Sequence, residues 1–481
     1  MKQLSLFLVL VSLYSTAQVV RVEPQNFSSI YSFGGNGSFN DNEIAIIGYD
    51  ALLPAGIPKT YLFNMASEIT ANGFLNSPEP NQNFAGSIEM TNDYLFVGST
   101  ANDTNVTNGG AVYVYKKVSG NWQYLLKLQP PTQSENDRFG SNIAFHDNQL
   151  FVTASGYDSN GSSTVNNGGV YHYYLSSNDT FSFVQIMTGN QSDFGFGDLL
   201  DFENNMMVTT SDGDITDTVY TYKQGDVSWL LFNAIQMPVF TSSNVNVLAS
   251  NRVSFSNNKL YLYHLDEIPN WPTFNGKKIK IYDWSDAQLQ WNFSEDFYFQ
   301  DGDYYEYKVK VRGNNMYLIP VGWYFLLIER KNPVFHYKFD GASWNYFDSY
   351  TGMSTVTNDS FGYFTVAKGN KALFGNVQEH WSFMALPPNG GAYMLDNTLD
   401  TNEFVNQNII LFPNPTNGII SIASTNSELA QVQLYDCLGK LVKIQNSNFD
   451  TIDLSNLSSG IYFCKITDNF GELEIKKIIK K

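Results

Sequence analysis

Two carboxylates opposed across a sugar are nearly all that a glycosidase needs, and this chain of 481 residues carries 46 acidic side chains against 28 lysines and arginines. Three acidic clusters stand out: Asp212, Asp214 and Asp217 in SDGDITD, Asp301, Asp303 and Glu306 in QDGDYYE, and Asp266 with Glu267. The first offers oxygen ligands of the kind Ca²⁺ takes. It lacks the length and terminal glutamate of an EF-hand loop, so a solvated turn is the plainer reading. The five histidines are scattered, and two of them, His172 and His336, fall at matching places in VYHYY and VFHYK, which points to a repeated structural role. No His/Cys/Asp cluster stands at zinc-ligand spacing, and no G-x-S-x-G nucleophile context occurs.

Tryptophan offers a stacking surface for carbohydrate, but Trp122, Trp229, Trp291 and Trp344 occupy one recurring position at the start of a strand, with Phe181 in the same place. A position shared by several repeats is a packing position. Trp271 is different: it lies in LDEIPNWPTFNG, a long loop with two prolines, beside Asp266 and Glu267. Functional variation on repeats collects in such insertions, so Trp271, Asp266 and Glu267 form the strongest candidate binding surface. Trp284, Trp323 and Trp381, with Tyr304 and Tyr324, are left without a packing assignment.

The elements that must position these groups are short strands. Aromatic content of 15%, with Asn, Ser and Gly clusters every few residues and almost no sustained helical periodicity, is the composition of an all-β protein. Residues 1–17, MKQLSLFLVLVSLYSTA, read as a secretory signal peptide with cleavage before Gln18. Its apolar run is too short for a membrane anchor, and no later segment approaches 18 apolar residues, so membrane insertion is not expected. Residues 411–481 are charge-balanced, whereas 18–410 carry 20 basic and 39 acidic residues. Such an acidic body argues against nucleic acid and anionic membrane as partners, while Ca²⁺, cationic surfaces and simple solubility are compatible with it. Cys437 and Cys464 are the only cysteines, and in an oxidising compartment they could pair.

A repeat of about 55 residues runs through the body. FGGNGSFNDNEIAIIGYD from Phe33, FAGSIEMTNDYLFVGSTAND from Phe84 and FGSNIAFHDNQLFVTASGYD from Phe139 align, each with an apolar strand 11 residues after the Phe. Weaker copies start near Phe194 or Phe196, Leu248, Tyr305 and Phe361. Each unit continues with a third strand, such as GGAVYVYKK or GGVYHYYLS, and a fourth, such as SGNWQYLLKL. Four antiparallel strands recurring seven times predict a seven-bladed β-propeller over 18–396. The seventh unit stops after its third strand. VVRVEP near the amino terminus matches LLKLQP at 125–130 in pattern, and Val20 precedes Phe33 by the same 13 residues that separate Leu126 from Phe139. Residues 19–23 are therefore expected to supply the missing strand and close the ring.

Units two and three resemble FG-GAP repeats of the integrin-α-like propeller type, carried by the initiating Phe-Gly, the apolar strand ending in small residues, and Gly-Gly before an aromatic strand. That resemblance implies adhesion or ligand binding. Some of these repeats hold Ca²⁺ in a D-x-D-x-D-G loop, which the short NDNE, TNDY and HDNQ loops here do not match. Residues 409–481 resemble the C-terminal sorting domain of type IX secretion cargo, on LFPNPTNG, VQLYDCLGKLV, DLSNLSSGIYFCKI and the terminal KKIIKK. The resemblance implies a small Ig-like β-sandwich, joined by a linker at 397–408, that engages the type IX machinery. A secreted or surface-displayed, non-catalytic binding propeller is the expectation, with a glycan or protein as ligand and no required cofactor. An extracellular polysaccharide- or protein-degrading enzyme and a structural surface component are the alternatives.

Overall fold

Period-two alternation of apolar and polar residues, cut every six to nine positions by Asn and Gly turns, leaves these segments the antiparallel strand as their regular conformation. The computed structural model describes residues 19–24, 30, 33–50, 56–65, 69–79, 84–158, 166–190, 194–213, 216–238, 241–242, 245–246, 249–265, 277–299, 306–321, 333–352, 361–376, 390–397, 409–412, 416–424, 429–436, 440–449, 451–468 and 473–481. They divide into two compact units, one spanning 18–398 and one containing 399–481.

In the larger unit, strands follow one another into four-stranded antiparallel sheets. Unit one comprises Gly37–Phe39, Glu43–Tyr49, Pro58–Met65 and Ile69–Leu75, and unit two Phe84–Met90, Tyr94–Ser99, Ala111–Val118 and Asn121–Leu128. The same order is kept in units three (139–188), four (200–238), five (253–298) and six (306–350). The seventh sheet takes three strands from Thr365–Lys368, Lys371–Asn376 and Gly391–Asp396, and its fourth from the amino-terminal strand Val19–Val22. The pairing is antiparallel and sets Val19 opposite Leu395 and Val22 opposite Ala392. The first strand of each sheet lies beside the first strand of the next, and Gly37–Phe39 lies against Lys371–Asn376 of the seventh. The only helix among the described residues is the single turn Ala249–Arg252.

One contact explains the repeating Phe. Phe33, Phe84, Phe139, Phe196 and Phe361 are buried, each edge-on to a third-strand tyrosine, with ring centroids 5.1 to 5.9 Å apart. The glycine three residues before such a tyrosine presses on the backbone of the next unit's Phe. A Cβ on Gly110 would meet Phe139 O at 2.2 Å, and one on Gly168 would meet Phe196 O at 2.5 Å. Both glycines have positive φ, so an L side chain is excluded twice over. Gly390 makes the same contact with Phe33, at 1.9 Å, and thereby joins the seventh unit to the first. The Gly168 contact also makes Phe196, not Phe194, the initiating residue of unit four. Leu248 and Tyr305 lie outside the described residues.

A second repeated feature sits on the outer edge. The pairing of third and fourth strands slips at Tyr115, Tyr173, Tyr222, Tyr282 and Tyr337, and at the corresponding place in unit one. A bulge at one position in six of the seven sheets, absent only where Val19–Val22 pairs with Gly391–Asp396, adds twist where a flat outer strand would invite pairing with another chain.

In the smaller unit, Ile409–Phe412, Ile419–Ser424 and Thr451–Asp453 form one sheet. Leu429–Asp436, Leu441–Gln445, Gly460–Asp468 and Leu473–Lys480 form a second. Ile420 and Ile452 of the first share a core with Val432, Leu434, Ile466 and Ile478 of the second, which makes a two-layer β packing. Cys464 is a buried free thiol, and burial pushes it up to about 12. Cys437 lies outside the described residues.

Candidate functional site

The loop holding Asp266, Glu267 and Trp271 lies outside the described residues, as do Asp214, Asp301, Asp303, Tyr304, Trp323, Tyr324 and Trp381. Of the SDGDITD cluster, Asp212 and Asp217 are described, and both are buried. Asp217 accepts from the Arg252 guanidinium and from Gly213 N–H (3.2 Å). Its carboxylate is already neutralised by a buried cation, so it serves as a clamp between units four and five. Asp212 lies near a different carboxyl. A Cβ on Gly195 would be 3.0 Å from Asp198 Oδ2 and 3.0 Å from Asp212 Oδ2, which places the two oxygens within about 6 Å of each other. Burial, then the Asp212 charge, pushes the Asp198 carboxyl up to about 7. A carboxyl raised in this way beside a second carboxyl is an arrangement that acid–base chemistry can use. Among the described residues no group of three or more His, Cys, Asp or Glu comes together to hold a metal ion.

The richest polar assembly lies along the innermost strands, which sequence reading did not single out. An innermost strand presents unpaired backbone N–H groups on its free edge, and these must be satisfied. Side chains of the preceding unit do so: Ser38 Oγ accepts from Met90 N (3.1 Å), Asp201 Oδ2 from Phe255 N (3.1 Å), and Ser254 Oγ from Val311 N (2.9 Å). Charges join the same register. Asp201, almost fully buried, takes Lys310 Nζ at 2.7 Å and Arg312 at 2.5 Å, both from unit six. Burial alone would raise the Asp201 carboxyl, but Arg312 and Lys310 outweigh it and hold the group well below the usual carboxylate range. Lys368 of unit seven binds Glu89 at 3.0 Å and Ser38 at 3.1 Å, linking units seven, one and two. The sequence signal was present as alternation in EYKVKVR, whose lysines and arginine share one face of the strand.

His172 and His336 are both buried third-strand residues, stacked on Phe151 (4.8 Å) and Tyr317 (4.6 Å) of the neighbouring second strand. His336 is hydrogen-bonded by Tyr350 Oη and Asn315 Oδ1, each at 2.9 Å. The corresponding partner in unit three, Gln149, is occupied by Trp229 Nε1 (2.8 Å), and neither ring nitrogen of His172 has a hydrogen-bond partner among the described residues. Burial pulls His172 down to about 4 and, with the nearby Lys338 charge, His336 down to about 3. An imidazole that titrates near 6.5 when unfolded and lower when folded takes up protons more readily in the unfolded chain. Its stabilising effect is full above pH 6.5 and is lost as pH falls towards the folded value. His172→Phe should therefore flatten the pH dependence of the urea midpoint between about 6.5 and 4, a gain of about 3 kcal/mol at the acid end. Asp198 acts with the opposite sign between about 3.8 and 7, so the difference between variant and parent is the quantity to measure. An unchanged slope in the variant would refute the assignment.

The recurring tryptophan position is a unit-to-unit contact. Trp229, Trp291 and Trp344 are buried, and Trp229 and Trp291 donate to Gln149 and Thr221 (2.7 Å) of the preceding unit. Trp122 packs against the core that Ala45, Ile47 and Leu62 of unit one share with unit two. Trp284 lies against Trp291 at 5.1 Å, with Lys223 over its ring. No helix among the described residues is long and apolar enough to cross a membrane.

Residues 410–481 match the family described as the secretion system C-terminal sorting domain. No curated protein is significantly similar to the chain. Solved structures with a similar course of chain include PorZ, described as an essential bacterial surface component of the type-IX secretion system of Porphyromonas gingivalis. It is 12% identical, with 92% of this chain and 70% of that one covered and a TM-score of 0.34. Sqt1 of Saccharomyces cerevisiae is 11% identical over 76% of this chain and 96% of its own, with a TM-score of 0.39. The WD40 domain of Toxoplasma gondii coronin is 10% identical over 78% and 83%, with a TM-score of 0.44. The sorting-domain match implies export by type IX secretion and a secreted or cell-surface location.

Proposed function

We propose that this exported chain is a non-catalytic binding protein: a seven-bladed propeller of FG-GAP-like units over 18–396, closed by strand 19–23, which contacts a glycan or protein through one loop face. A signal peptide at 1–17 starts the export route, and an Ig-like sorting domain at 409–481, after a linker at 397–408, completes it. The observation that carries the ring is the Phe33–Gly390 contact, the same contact that joins unit two to three and unit three to four. A ring so closed is rigid, and rigidity lets loops bind without a large ordering cost. The loop with Asp266, Glu267 and Trp271 is the proposed contact surface.

The Asp198–Asp212 pair favours one other reading, an extracellular hydrolase with Asp198 as the proton donor. A single experiment separates the two. The purified full-length protein is applied to a glycan and matrix-protein array, with and without Ca²⁺, and assayed for polysaccharide turnover. Saturable binding that is weakened by Trp271→Ala, without turnover, is the expected result. Silence on the array together with turnover abolished by Asp198→Asn would replace the binding reading with the enzymatic one.

A further inference from the structure

Four cations stand on the first strands of the seven units: Lys308, Lys310, Arg312 and Lys368. Three of them have a carboxylate within 3.0 Å. Lys308 has none among the described residues. Its ammonium donates one hydrogen bond, to the Tyr363 carbonyl at 2.8 Å, and stands 5.7 Å from the Tyr363 ring centre. The bond to Tyr363 is open to solvent, and partial burial with no opposing charge beside it pulls Lys308 down to about 8.

The bond to Tyr363 does not require a charge. Lys308 faces Ile319 across the sheet, four residues beyond the start of the pairing at Asn315, and Asn142 faces Thr153, four beyond Gln149, in the corresponding place of unit three. There the neutral Asn142 amide makes the same link to the next unit, reaching Gly197 O at 3.2 Å and Asp198 O at 3.0 Å, and Asn36 of unit one reaches Gly86 O at 3.2 Å. Two units thus make this latch with an amide, at no electrostatic cost. Unit six makes it with an ammonium, which brings to the same place a positive charge that no carboxylate of the described residues pairs. The surplus charge is explained if the counter-charge arrives from outside.

We propose that Lys308 is the binding point for an oxyanion, the carboxylate or phosphate group of a ligand seated at the innermost strands. Lysine suits this role as a point charge with donors to spare: one of its three is used by Tyr363 and two remain for the anion. The exposed Tyr363 ring beside it supplies a face for the uncharged part of the ligand, as sugars and ring systems require. The inference deepens the binding reading by naming the chemistry of a ligand, and rests on that reading only in taking the body to be a binder.

Calorimetric titration of the full-length protein with inorganic phosphate, with glucuronate and with uncharged glucose tests it. Saturable binding of phosphate or glucuronate but not glucose is expected. Phosphate alone would identify a phosphate site, and glucuronate binding more tightly would identify an acidic sugar with the ring on Tyr363. Lys308→Asn preserves the latch in the form used by Asn36 and Asn142, so it should fold with an unchanged urea midpoint while binding the anion at least about tenfold more weakly, the loss of one ion pair. Lys308→Arg should retain binding. Equal anion affinity in the parent and Lys308→Asn, or no affinity in a folded parent, would overturn the site. Array binding that survives Lys308→Asn would confine that failure to the site and leave the binding reading standing.

Discussion

Val22→Asp is expected to unfold the repeat body while leaving the carboxyl-terminal unit intact, and deletion of residues 18–25 should do the same. Val22 is fully buried, opposite Ala392, in a core with Ile30, Phe33, Leu373 and Met394. An unpaired carboxylate at such a place costs more than about 4 kcal/mol, a large part of the stability of an ordinary domain. Deletion acts differently. It strips the hydrogen-bonded ladder from Gly391–Asp396 and turns a central strand into a bare edge, with loss of the contacts that couple the seventh unit to the rest. All eight tryptophans lie between 122 and 381, so tryptophan fluorescence in urea reports the repeat body alone. Limited proteolysis followed by mass spectrometry reports whether 409–481 survives as a resistant core. A fluorescence midpoint equal to the parent's would show that the amino-terminal strand is dispensable.

Arg252→Met should cost about 3–5 kcal/mol, because it leaves the Asp217 carboxylate buried without its counter-ion. Both side chains of this pair are almost wholly shielded, at 1% and 3% exposure, and their residues belong to successive units. Removing both charges at once, in Arg252→Met with Asp217→Leu, should recover most of the loss, since well-packed apolar groups replace a buried ion pair with little penalty. The double-mutant cycle in urea gives the coupling directly. Single variants within 1 kcal/mol of the parent would mean that solvent reaches the pair and that the clamp is weak.

The repeat was legible because its signals are local. A Phe, an Asn/Asp turn and an apolar run 11 residues later are all read within one stretch of chain, and the Gly-Gly that opens GGVYHYY recurs with them. Even the strand Val19–Val22, far from its partner, could be assigned by comparing VVRVEP with LLKLQP, because the repeat supplies its own reference. Where the reading was ambiguous, at Phe194 or Phe196, the deciding contact with Gly168 lay in the preceding unit. The acidic clusters show the opposite case. Asp212, Asp214 and Asp217 look like a ligand set within six residues of sequence, yet Asp217 is engaged by an arginine 35 residues on. The node at Asp201 draws its cations from 109 and 111 residues away, a separation at which no local pattern speaks. Alternation in EYKVKVR indicates a charged face, but whether each charge is paired depends on which strands the ring brings together. Lys308 differs from Lys310 only in that respect.

The last strand of the repeat body, Gly391–Asp396, is held on both sides, by Lys371–Asn376 and by Val19–Val22. The chain leaves towards the sorting segment from the end of this strand. A pull along the strand axis at that end would load both ladders in shear, so that their hydrogen bonds resist together instead of opening one at a time. A strand at the edge of the sheet would have had one ladder to resist with instead of two. The closing strand thus gives the body a mechanically strong point at the place where traction by an export machine, or drag on a tethered protein, would enter it.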